Sequence, residues 1–230
     1  MNSMHRSLIA AGVLAVFATS PAPLFAQHAG HTQGAQSQAG TSLEQTSAAL
    51  RDLWLGHIFW VRNVAVETLA GNKAAAEAAE KQAVANARQI AGAIEPFYGA
   101  EASRKLFDLL AGHYGAVKQY LDATVAGSKA KQDAALRNLT GNAAEIARFL
   151  SGANPHLPFD AVNGLLVAHG GHHVQEIQQL RSKQYVQEAQ TWEAMKRHMY
   201  AISDALAGAI AKQFPGKFST AALTRADASR

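Results

Sequence analysis

The chain carries ten histidines and no cysteine, and three of the histidines recur at one spacing. They are His57, His113 and His169, with offsets 113 − 57 = 56 and 169 − 113 = 56. Each follows an apolar pair: Leu53/Trp54, Leu109/Leu110 and Leu165/Leu166. No gap is needed to align the three copies. A lone histidine on an apolar helix face is usually a core residue that hydrogen-bonds to a carbonyl or a neighbour. Three at equivalent positions are a candidate ligand set, because neutral imidazole is a common ligand for zinc and copper.

The repeat runs on beyond the histidines. Asn86, Asn142 and His198 share the same offset, as do Ile90, Ile146 and Ile202. Gly71 aligns with Gly127. His57 lies 71 − 57 = 14 residues before Gly71, and Asn86 lies 86 − 71 = 15 after it. At about 1.5 Å per helical residue, the two are level across a hairpin. One layer is therefore expected to hold His57, His113, His169 and His198, with Asn86 and Asn142 as acceptors for ring N–H groups. His173 follows His169 by one turn and aligns with Val61 and Val117. His172 aligns with Trp60 and Ala116 on a neighbouring face. The expected ligands are His57, His113, His169, His198 and His173. Asn86, Asn142, Met195 and Glu176 are expected around them.

Imidazole-rich layers suit zinc or copper. Met195 and Met199, beside His198, lean toward Cu(I), although their helical spacing also suits plain core packing. A di-iron carboxylate site needs several inward acids, and Glu176 is the one good candidate. Bis-histidine haem in a bundle is a less favoured cofactor. The lack of cysteine removes thiolate zinc sites, blue copper, iron–sulfur clusters and covalently attached haem.

These side chains need helices to position them, and the pattern is all-α. Ser42-x-x-Gln45 resembles a capping box. Leu50, Leu53, Trp54, His57, Val61 and Val64 follow on one face, and Gly71-Asn72 ends that helix. Helix two is expected over about Lys73 to Glu95, closed by Pro96 and Gly99. Helix three follows over about Glu101 to Ala126, and helix four over about Lys129 to Leu150. Helix five is expected over about Phe159 to Arg181, with a kink or close contact at Gly170-Gly171. Helix six runs from about Tyr185 to Phe214. The fold class is a six-helix bundle of three antiparallel hairpins in a 56-residue repeat.

Residues 1–26 read as a signal peptide: His5 and Arg6, a short apolar run from Leu8 to Ala18, then Leu24-Phe25-Ala26. Residues 27–41 read as a disordered tail with His28 and His31. The helical domain is expected over 42–216 and a flexible tail over 217–230. A periplasmic or secreted location follows, with no membrane span in the mature chain. The net charge of +4 is modest, and the basic residues are scattered, which argues against nucleic acid as a partner. Phosphate loops, nucleophile elbows and His-Glu-x-x-His are missing from the sequence, so enzyme action is the less favoured reading. Trp54, Trp60 and Arg62 read either as a cation–π group or as packing plus a surface charge.

The run Leu53-Trp54-x-x-His57-x-x-Trp60-x-Arg62 resembles a family of bacterial exported helical proteins. The likeness extends through Glu95-Pro96-Phe97-Tyr98-Gly99, Leu109-Leu110-x-x-His113, the His169 region and Lys212-Gln213-Phe214-Pro215. Threonine usually precedes the arginine there, where this chain has Val61. The resemblance implies an all-α fold and the three histidine positions. It implies no reaction; members sometimes carry the label glycosyltransferase, but this chain has neither an Asp-x-Asp motif nor an α/β nucleotide fold. The expected function is an exported metal-binding bundle for copper or zinc handling. The alternative is a non-enzymatic interaction or envelope-stress bundle whose histidines are structural, its protein partner unspecified.

Overall fold

The computed structural model describes residues 41–219. Six helices fill it: α1 (Leu43–Ala70), α2 (Lys73–Ala93), α3 (Glu95–Val125), α4 (Lys129–Ala153), α5 (Phe159–Arg181) and α6 (Tyr185–Gln213). A short 3-10 turn, Pro215–Lys217, follows. Among the described residues no strand forms; one isolated bridge joins Thr41 to Phe218. No described helix is long and apolar enough to cross a membrane. The expected signal peptide, and all of the His28/His31 tail except Thr41, lie outside the described residues.

Local chemistry sets the ends of α1. The Ser42 hydroxyl accepts from the Gln45 amide at 3.1 Å, and the Ser42 amide donates to the Gln45 side chain at 2.9 Å. Two otherwise orphaned donors are satisfied together. At the other end Gly71 takes φ 77°, a left-handed conformation that favours glycine.

The join between α2 and α3 differs from expectation. Pro96 opens α3 instead of closing α2, because the first turn of a helix requires no N–H from it. The break falls at Gly99, with φ 84° and ψ 169° inside α3. At Gly170-Gly171 the alternatives resolve as close contact within an unbroken helix. A Cβ on Gly170 would sit 3.1 Å from the Leu139 side chain, so α4 packs directly on the α5 backbone.

The helices form a ring in chain order, and α6 returns to α1. The odd helices α1, α3 and α5 also touch one another across the middle. This follows from composition: α2 and α4 bury mainly alanine, whereas the odd helices bury the larger side chains. The centre of the bundle is thus built from the helices that carry His57, His113 and His169.

Each hairpin is clamped by a side chain on its even helix. Asn86 Nδ2 donates to the Leu53 carbonyl at 3.0 Å, and Asn142 Nδ2 donates to the Leu109 carbonyl at 3.0 Å. His198 Nε2 lies 2.8 Å from the Leu165 carbonyl. Glycine makes room for the amides: a Cβ on Gly56 would stand 2.9 Å from Asn86 Nδ2, and one on Gly112 3.1 Å from Asn142 Nδ2. The third hairpin has Ala168 at that position, opposite the differently shaped His198. We expect Gly56→Ala to destabilise the fold by about 1 kcal/mol. The clamp is worth roughly 1–3 kcal/mol and alanine returns up to about 1 kcal/mol of helix propensity. Urea midpoints measure the difference, and an unchanged or higher midpoint would contradict it.

The end of the bundle opposite the Gly71 and Gly127 turns is plugged by polar contacts. Asn154 Nδ2 donates to Tyr98 Oη at 2.9 Å, and Tyr98 Oη donates to Gln213 Oε1 at 2.8 Å. Phe97 stacks on Phe218 at 5.9 Å. Phe218 is buried, so ordered packing extends past the expected domain boundary at residue 216. Only residues 220–230 of the expected C-terminal tail lie wholly outside the described chain.

Candidate metal centre

Four histidines converge where the odd helices meet. His57 comes from α1, His113 from α3, and His169 and His173 from α5. A spacing of four puts the last two on one face of α5, one turn apart. All four are buried, at 4, 3, 1 and 1 % exposure respectively. One ring nitrogen from each lies within 4.8 Å of the others. His169 Nε2 is 3.4 Å from His57 Nε2 and 3.2 Å from His173 Nε2. The His113 ring stacks on His169 with centroids 5.4 Å apart and planes at 18°. Trp54 presents its edge to His57 at 5.8 Å.

The polar groups here are poorly satisfied. Neither nitrogen of His113 has a hydrogen-bond partner, and neither Nδ1 of His169 nor Nδ1 of His173 has one. Both short contacts fall on His169 Nε2, which in a neutral ring offers one hydrogen or one lone pair, so only one N–H···N bond can form there, with His57 or with His173, and His113 has none. Buried polar groups normally find partners, so this concentration of orphans marks the spot as unusual.

Burial holds these rings neutral. It pushes His57 down to about 3, helped by the neighbouring His113. It pushes His113 down to about 4, partly opposed by Asn142. His169 and His173 are also driven well below the usual imidazole range, first by burial and then by the other histidines. At neutral pH each ring therefore keeps a lone pair available.

The remaining expected site residues are placed differently. His198 is not one of the four; its Nε2 is engaged by the Leu165 carbonyl, and its ring stands 5.3 Å from His172. Equal height along a hairpin did not mean equal aim. Asn86 and Asn142 use their amide nitrogens as hairpin clamps, and their Oδ1 atoms accept no hydrogen bond. Met195 and Met199 are fully buried in an apolar cluster with Leu50, Trp54 and Ile58.

Glu176 belongs to a second buried polar group that includes a residue the sequence analysis missed. Arg62 grips Glu188 with two bonds, Nε to Oε1 at 2.6 Å and Nη2 to Oε2 at 2.9 Å. Its Nε is also 3.6 Å from Glu176 Oε1. Arg62 lies over the Trp192 ring at 5.6 Å. Arg62 is thus neither a plain surface charge nor a partner of Trp54 and Trp60. A signal for Glu188 existed: residues 188, 191, 195, 199 and 202 form one inward stripe on α6. Burial, and then the Glu188 charge, raise Glu176 to about 8, against the opposing pull of Arg62.

These shifts set a pH profile for the metal-free protein. A histidine lowered on folding stabilises the native state above about pH 6.5, and that contribution is lost as pH falls toward the folded value. For His113, moved from 6.5 to about 4, the loss is on the order of 3 kcal/mol. Glu176 has the opposite sign. Its folded value is raised, so its contribution is complete below about pH 4.5 and fades as pH rises to about 8. Chemical denaturation in chelator should show stability falling steeply below pH 6.5 and more gently from 6.5 to 8. Glu176→Gln should flatten the upper branch and steepen the acid branch between about pH 4.5 and 6.5, where Glu176 opposes the histidines; a flat acid branch in the parent protein would contradict the burial of neutral histidines.

No family model, curated protein or solved structure matches the chain. Four buried histidines lie close together in a way that is compatible with a metal site.

Proposed function

We propose that the protein binds one transition-metal ion through His57, His113, His169 and His173, and that it handles zinc or copper outside the cytoplasm. The observation that carries this reading is the spacing of the ring nitrogens. A tetrahedral ion with zinc–imidazole bonds of about 2.0–2.1 Å requires nitrogens about 3.3 Å apart. Two contacts in the cluster, at 3.2 and 3.4 Å, already match this. All four nitrogens fall within 4.8 Å, so modest ring movements close the set. A cation would accept a lone pair from every ring at once, including His113, which hydrogen bonding alone leaves unpaired.

The chemistry favours binding over catalysis. Four protein ligands with almost no exposure match the closed sites that hold metal, whereas catalytic zinc keeps one position open. The tetrahedral spacing favours Zn(II) or Cu(I) over the flattened geometry of Cu(II). The leader and exported location expected from residues 1–26 place such handling in the periplasm or beyond.

The test is titration of the metal-stripped full chain, with His28→Ala and His31→Ala so that the tail contributes nothing. One tight equivalent of Zn(II) or Cu(I) is expected. Only weak, superstoichiometric binding would refute the reading and favour the structural alternative.

A further inference from the structure

At three neighbouring places the third hairpin has a histidine where the other two have none. His172 stands where the others have Ala116 and Trp60 (172 − 56 = 116; 116 − 56 = 60). His173 stands where they have Val117 and Val61, and His198 where they have Asn142 and Asn86. Only His173 enters the central four. The other two face each other outside it, with ring centroids 5.3 Å apart and planes at 57°.

A carbonyl clamp does not require imidazole, because asparagine does that work in hairpins one and two. What imidazole adds is a second nitrogen. With Nε2 donating to the Leu165 carbonyl, His198 retains a lone pair on Nδ1. His172 Nδ1 is buried without a partner. The two rings are only partly buried, unlike the central four. They also lie within electrostatic reach of the centre: His198 acts on His169, and His172 acts on His173. Both of those central rings sit on α5.

A closed four-histidine centre poses a problem of access. An ion shedding its water shell all at once would face a large desolvation barrier. Exchange of waters for imidazoles in steps lowers that barrier, and it requires ligands between solvent and centre.

We propose that His172 and His198 form a loading station that takes the ion from solvent and hands it to His169 and His173. This rests on the metal-centre reading above. The transfer is ligand exchange: waters leave as imidazole nitrogens bind through their lone pairs, and the oxidation state is constant. Two nitrogens plus water hold the ion more weakly than four nitrogens, so the direction of transfer is inward.

The test copies the other hairpins into the third. His172→Ala reproduces Ala116, and His198→Asn reproduces Asn142 and its clamp once Ala168→Gly opens the space that Gly112 provides for that amide. Both are made in the full chain carrying Ala168→Gly, His28→Ala and His31→Ala, which serves as the parent. Stopped-flow loading with Co(II) is followed by its visible tetrahedral bands, and Zn(II) affinity is measured at equilibrium. The double variant should load about tenfold more slowly, with one-ion stoichiometry and an affinity within about twofold of the parent. An unchanged loading rate would overturn the station and leave the four-histidine centre standing. An affinity loss matching the rate loss would place the pair inside the binding set and also overturn it. If the parent takes up neither ion, both readings fall.

Discussion

Zinc should raise the melting temperature of the metal-stripped protein by about 10 °C, and His169→Ala should abolish that increment. At free metal a thousandfold above Kd, binding to the folded state alone contributes about 4 kcal/mol. For a domain of this size, each kcal/mol shifts Tm by about 2–4 °C. His169 is the decisive position because its Nε2 stands between His57 and His173. The substitution also removes a fully buried side chain, so the chelator-treated variant melts lower for packing reasons alone. The diagnostic quantity is therefore the zinc increment within each variant. An increment that survives in His169→Ala would move the binding site elsewhere.

The second large effect belongs to Arg62. Glu188 is 3 % exposed and Glu176 is 1 % exposed, and Arg62 provides the charge that faces both. Replacing Arg62 with methionine keeps the stem and strands two buried carboxyl groups. Breaking such a set from one side destabilises by about 3–5 kcal/mol. Urea denaturation at pH 7 should show this. Adding Glu188→Gln to Arg62→Met should restore part of the loss, since it removes the uncompensated charge. A loss below about 1 kcal/mol, the range of a surface ion pair, would show that the carboxyls find other partners. Arg62 is itself one-third exposed, so water moderates the effect.

The sequence made much of this arrangement legible because an equal offset along helices of equal phase yields equal depth. His57, His113 and His169 shared an apolar face and a spacing, and His173 followed by helical geometry. What the offset could not convey was aim. His198 has the height of His169, yet the Leu165 carbonyl lies in its path and engages Nε2. Asn86 and Asn142 lie at the expected level, and the offset did not convey that their amide nitrogens clamp the hairpins. Their amides meet backbone that Gly56 and Gly112 leave uncovered. Glu188 was hidden by its type: charged residues near a helix start read as surface or capping groups, and only the inward stripe on α6 betrays it. Pro96 misled because proline ends one helix and begins another equally well, and the choice depends on the chain beyond it.

The central claim is that four imidazoles share one ion, and X-ray absorption at the zinc edge of the loaded protein addresses it most directly. The account predicts four nitrogen scatterers at about 2.0–2.1 Å, with the outer-shell pattern of imidazole rings and no light-atom shell beyond the four. A six-coordinate shell of mixed oxygen and nitrogen, or fewer than three imidazoles, would contradict it.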